Sequence, residues 1–100
     1  MTALLNIFQE AYESQNLPTL QQITTMDEKR IQYLQLMFKS YSTIRVTTEI
    51  ESINKQKAYA KLLITKLIDQ KGKVIKPSPI IRETTITIPK EGEQWGNIHW

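Results

Sequence analysis

The chain has no cysteine, a single histidine and only three glycines. Each shortage removes a class of chemistry. Without cysteine there is no disulfide, no thiolate nucleophile and no cysteine-ligated metal. Redox compartment stays open, because a thiol-free chain suits either. One histidine cannot build an imidazole-rich zinc site, so no metal is expected. The glycines stand singly in turns and form no phosphate-cradling loop. Serine-nucleophile motifs are missing as well, and no cofactor is expected. No apolar run approaches the roughly 18 residues of a membrane-spanning helix. Met1-Thr2-Ala3-Leu4-Leu5 lacks a basic start, and Asn6 and Gln9 break its apolar run. It is not read as a signal peptide, and localisation is left open.

What is present suits one modest core. The apolar fraction is 40% and there are eight aromatics, too many for a disordered chain. Residues 1–100 read as one domain. The net charge of +3 is unevenly spread. Residues 1–54 carry four basic and six acidic side chains, and residues 55–100 carry nine and four. Lys55, Lys57, Lys61, Lys66, Lys71, Lys73 and Lys76 supply most of the excess. This asymmetry is the strongest electrostatic signal in the chain.

The first half reads as helices. In residues 2–14, Leu4, Ile7, Phe8 and Ala11 recur at helical spacing, with Tyr12 beside them. Asn16 caps a short second helix, 17–23, with Pro18 in its first turn. Thr25-Met26-Asp27-Glu28 fits a capping box that opens a third helix over 25–40. Ile31, Leu34, Phe38 and Tyr41 form its stripe, and Tyr33, Leu36 and Met37 widen it until it touches two surfaces.

The second half reads as strands. Residues 43–53 alternate, with Ile44, Val46, Thr48 and Ile50 facing one way. Residues 58–69 follow, then an irregular stretch at 74–79 broken by Pro77 and Pro79. Residues 80–89 and 94–100 complete the set. Four-residue turns between consecutive strands force antiparallel pairing. The expected fold is α+β, with three N-terminal helices on one face of a four-stranded antiparallel meander sheet.

Three phrases carry a family resemblance. They are Tyr12-Glu13-Ser14-Gln15-Asn16-Leu17-Pro18-Thr19-Leu20, Ile44-Arg45-Val46, and Gly92-Glu93-Gln94-Trp95 followed by Ile98. The chain resembles a small member of the nuclear transport factor two-like superfamily, also called SnoaL-like or cystatin-like α+β. The resemblance implies a curved, cone-like sheet wrapped round a helix. Enzyme members place acid–base or histidine–aspartate pairs inside the cone, and none maps onto this sequence. They also carry a further strand or hairpin between the second and third helices, where this chain has only Thr24-Thr25. The short form resembles accessory domains at the ends of larger bacterial proteins.

Most candidate site residues also have plain structural roles. His99 has no acid nearer in sequence than Glu93, so a structural or exposed role is expected. Glu49, Glu51 and Glu83 are expected to pair with Lys61 or Arg82 rather than act as a base. Arg82 shares strand parity with Ile86 and Ile88, so an inward, anion-binding Arg82 competes with an outward one. Tyr12, Tyr41, Trp95 and Trp100, with Tyr59, form an aromatic set that serves recognition or core packing. By alternation Trp100 joins Ile98, and Trp95 joins His99 unless Gly96 marks a bulge. Lysines 55–76 contain no arginine and one aromatic, which suits a solvated face better than base readout.

The expected function is a non-catalytic interaction or small-ligand-binding module. Its ligand would be apolar or anionic, bound by Tyr12, Tyr41, Arg82, Trp95, His99 and Trp100. A homodimer through Ile53, Leu63, Leu67 and Ile81 of the outward sheet face is also expected. The alternatives are an isomerase- or dehydratase-type enzyme, and a weak nucleic-acid or anionic-surface binder using the lysines.

Overall fold

The computed structural model describes residues 2–100, apart from the side chain of Ile80. Helix α1 (Thr2–Glu13) buries Leu5, Phe8, Ala11 and Tyr12. This stripe is rotated slightly from the expected one, so Ile7 lies 46% exposed. Helix α2 (Leu17–Ile23) starts where expected: Asn16 Oδ1 accepts the Thr19 amide at 3.2 Å, and Pro18 stands in the first turn. Thr24–Thr25 is not a bare linker but strand β1. Helix α3 (Glu28–Ser40) therefore begins later than expected. Its cap is Asp27, whose Oδ1 accepts the Arg30 amide at 2.8 Å. Both Thr25 and Asp27 carry a capping oxygen, but Thr25 is taken into the sheet.

Strands β2 (Tyr41–Ile53) and β3 (Lys57–Asp69) form a long antiparallel hairpin. Asn54 Oδ1 ties its turn by accepting the amides of Gln56 and Lys57. Strand β4 (Val74–Ile75) pairs with the far end of β3. Residues 80–82 do not begin a strand. Pro79 fits a first helical turn, and Pro79–Arg82 closes into the one-turn helix α4. Strand β5 (Glu83–Glu91) then pairs with β3. Gly92, at φ +65°, makes the tight turn to β6 (Gln94–Trp95). Strand β7 (Ile98–His99) lies between β5 and β1, antiparallel to the first and parallel to the second.

Among the described residues the sheet is thus mixed, open and seven-stranded, in place of the expected four-stranded meander. Its main order is β1-β7-β5-β3-β2, with β4 on β3 and β6 on β5. The β1–β7 parallel pair makes the sheet mixed, β4 adds a strand on β3, and the expected closing strand is divided into β6 and β7. Two residues cannot announce a strand by alternation, so Thr24-Thr25 carried no periodic signal.

One face of the sheet carries the core, while its margin at the end of β2 stays open, with Ile50 44% and Ile53 55% exposed. Ile44, Val46, Ala58, Ala60, Leu62, Ile64, Leu67, Ile86, Ile88 and Ile98 are buried on this face, with the helical stripe of α1 and Leu20, Leu34 and Met37. Three bulges set which residues belong to it. The β2–β3 register skips Ser42, Thr65 and Glu51. Each skip shifts the inward–outward alternation by one residue. The Thr65 skip brings Leu67 to the inner face, fully buried opposite Ile44. The Glu51 skip brings Ile53 to the face of its partner Ala58. Ile81 sits in α4. Of the four residues expected on an outward dimer face, Leu63 alone keeps that place in the sheet.

Candidate functional site

The interior beneath the helices is filled by aromatic rings. Phe8 meets Tyr12 and Trp100 edge-on, with centroids 6.1 and 5.2 Å apart. Tyr12 also meets Phe38 at 5.6 Å. These are favourable edge-to-face arrangements, each contributing about 0.5–1.5 kcal/mol beyond burial. The Tyr12 hydroxyl donates to Met37 Sδ at 3.3 Å, and burial raises its phenol above the ordinary range. Tyr12 is therefore part of the core and not open to a ligand.

A groove of about 690 Å³ opens beside this cluster. One wall is the backbone run Thr25, Met26 and Asp27, from β1 to the cap of α3. The opposite wall is the start of β5, Glu83, Thr84 and Thr85. Trp100 closes one end, and Lys29, Arg30, Tyr33 and Ile81 complete the lining. A smaller space of about 150 Å³ adjoins it, sharing Tyr33 and Ile81 and reaching Tyr41.

Arg30 is the organising cation of the groove. Its guanidinium carbon lies 4.8 Å from the Trp100 ring centre and 5.3 Å from that of Tyr33. A guanidinium stacks well on aromatic faces, which hold its direction without cancelling its charge. Among the described residues no carboxylate lies within ion-pair distance of it. Burial pushes the Tyr33 phenol upward, with Arg30 opposing the shift. The Trp100 Nε1–H is buried and finds no acceptor among the described residues. Such an unmatched donor costs roughly 1–3 kcal/mol. The groove thus holds two cations, Arg30 and Lys29, two carboxylates, Asp27 and Glu83, threonine hydroxyls and the apolar and aromatic side chains of Met26, Tyr33, Ile81 and Trp100.

The expected site residues scatter. Trp100 lines the groove, Tyr41 lines the smaller space and Tyr12 is core. Arg82 is exposed at the end of α4, so its strand parity with Ile86 does not apply. Trp95 is half-buried under Lys90, 5.7 Å from the ring centre. His99 is exposed on β7. Arg30 and Tyr33 are not among the site residues expected from the sequence. The wide stripe of α3 held the signal for Tyr33, whereas Arg30 depends on Trp100 folding back from the far end of the chain.

The lysines do not form one patch. Lys55 and Lys57 lie at the β2–β3 turn, and Lys71, Lys73 and Lys76 lie beyond the other end of β3. A 13-residue strand separates the groups by roughly 40 Å. Lys66 is exposed on β3. Lys61 sits between Glu51, at 3.0 Å, and Glu83, at 3.9 Å. The hydrogen bond to Glu51 and the nearby carboxylates raise the Lys61 ammonium above its usual range. No helix is long and apolar enough to cross a membrane among the described residues. No group of three or more potential metal ligands converges there either. Comparison with family models, curated proteins and solved structures finds no match to this chain.

Proposed function

We propose that this chain is a non-catalytic binding module and that the groove between α3 and the start of β5 is its ligand site. The observation that carries this reading is Arg30, fixed across Trp100 and Tyr33. A cation held in place by aromatic faces, and not ion-paired to the Asp27 or Glu83 carboxylates of the same groove, suits an anionic group arriving from outside. The apolar surfaces of Met26, Tyr33 and Ile81 beside it suit a planar or aliphatic body. The preferred ligand is therefore an anion with an apolar part.

The same reading keeps the chain in the nuclear transport factor two-like superfamily, with the sheet curving round the helices as a cone. The helices on the inner sheet face support it, as does the strand between α2 and α3. The ring cluster of Phe8, Tyr12, Phe38 and Trp100 occupies the interior, which favours binding over catalysis.

Titration with naphthalene-2-carboxylate, followed by NMR at the Trp100 indole and the Tyr33 ring, tests this reading. Shifts at both that vanish in Arg30→Ala, and that the neutral naphthalene-2-carboxamide does not produce, are expected. An undiminished response in Arg30→Ala, or no response at Trp100, would sink it.

A further inference from the structure

The sheet face opposite the core has two halves that differ in charge balance. Toward the β2–β3 turn, Lys61 lies opposite Glu49 and forms ion pairs with Glu51 at 3.0 Å and Glu83 at 3.9 Å. Toward the other end of β3, Arg45 lies directly opposite Lys66. Ile44 and Val46 flank Arg45 and are buried, as is Leu67 next to Lys66. Arg45 and Lys66 therefore point outward, and both are exposed. Strand β4 extends the row. Ile75 pairs with Leu67, and one further step of that register sets Lys76 beside Lys66. Neighbouring strands lie roughly 5 Å apart, so three cations stand abreast. Like charges directly opposite one another are unfavourable. Among the described residues none of the three has a carboxylate at ion-pair distance. The adjoining turn adds Lys71 and Lys73, and its carboxylate, Asp69, accepts the backbone amides of both. Ile75 packs against the core, so Val74 before it points outward, where it is 65% exposed beside Ile68.

We propose that this end of the sheet docks on an anionic lipid surface. The proposal is independent of the groove. A row of uncompensated cations on a sheet matches a plane of anionic headgroups, and each cation near such a surface strengthens binding roughly fivefold. Val74 adds an apolar contact at the headgroup boundary. Nucleic acid fits less well, because binding a single strand relies on rings that stack its bases. The outward aromatic of β3, Tyr59, lies near the opposite end of the strand, beneath Lys57.

Cosedimentation with phosphatidylcholine vesicles containing about 30% phosphatidylserine tests this. Binding is expected at physiological ionic strength. It should fall as salt is added and be absent with phosphatidylcholine alone. Arg45→Gln combined with Lys66→Gln should weaken binding roughly 25-fold. The thermal midpoint of that variant should stay level or rise, since a like-charge pair is removed. Lys55→Gln combined with Lys57→Gln removes the same charge at the other end of β3 and should bind as the parent does. Val74→Ser should weaken binding severalfold, and its loss should persist as salt is raised. Equal losses in the two double variants would reduce the effect to net charge and overturn a docking face. No binding to the phosphatidylserine vesicles would overturn it outright. Binding to polyuridylate that is tighter than to vesicles, and that Arg45→Gln with Lys66→Gln removes, would make the partner a nucleic acid and overturn the lipid assignment.

Discussion

The sheet has two kinds of open margin, and they are treated in opposite ways. Strand β2 forms one margin over thirteen residues. Long bare edges invite pairing with other chains, yet this one is occupied. Glu13 of α1 accepts the Val46 amide at 3.0 Å, and Gln15 Nε2 donates to the Tyr41 carbonyl at 2.8 Å. Further along, the Glu51 bulge and the charges of Glu49 and Glu51 interrupt it. The margin of β5 at Glu83–Thr85 is much shorter and carries no such cover among the described residues. It opens onto a groove that contains an oriented arginine. The contrast is one of cover: side-chain hydrogen bonds and a bulge on the first margin, a groove lined by charged and aromatic side chains on the second.

The largest disturbance of this contrast should come from Phe8→Ala. Phe8 is fully buried and holds both Tyr12 and Trp100. Its truncation should cost about 3–5 kcal/mol, measured by denaturant unfolding, and should loosen the groove end at Trp100. An unchanged unfolding midpoint would mean that the ring cluster does not support the site.

Opening the guarded margin should have a smaller effect. Glu13→Ala frees the Val46 amide and should cost about 1.5–3 kcal/mol. Sedimentation should then show more self-association than in the parent chain. Glu13→Gln keeps an acceptor and should lose less. If Glu13→Ala stays as monomeric and as stable as the parent, the edge is not protected by this contact.

Arg30→Ala acts on the other margin. Stability should fall by about 0.5–2 kcal/mol, the range for a stacked cation, while carboxylate binding in the groove is lost. A large stability loss with binding retained would make Arg30 a structural residue only.

The smallest effect at neutral pH is expected from Tyr12→Phe, which removes the bond to Met37 Sδ and should cost less than about 1.5 kcal/mol. Its signature lies in alkali. Burial raises the Tyr12 and Tyr33 phenols above the ordinary value of 10.0. The folded protein thus holds protons that the unfolded chain releases. The associated stability is fully present below about pH 10 and falls as pH rises through the folded values. Tyr12→Phe should flatten that alkaline decline. An equally steep decline in the variant would assign it to other groups.

The sequence-readable parts were the local ones. Asn16 and Pro18 marked α2 correctly, and Asn54 and Gly92 marked their turns, because each acts through its own backbone. The bulges at Thr65 and Glu51 carry no glycine or proline; the first turns Leu67 into the core, and the second turns Ile53 to the face of Ala58, where it stays 55% exposed. Both are fixed by pairing across the hairpin. The one-turn helix at Pro79–Arg82 took Arg82 out of the strand whose parity had suggested an inward cation. Gly96 lies in the break between β6 and β7. A Cβ there would meet only the exposed, movable Glu91 side chain. The groove itself joins residues from both ends of the chain, so no local pattern announces it.

Amide hydrogen exchange on the free protein tests the contrast between the two margins most directly. The Val46 amide, held by Glu13, should exchange slowly, and the Thr85 amide should exchange much faster despite lying inside a strand. Protection of Thr85 comparable to that of Val46 would contradict an open β5 margin.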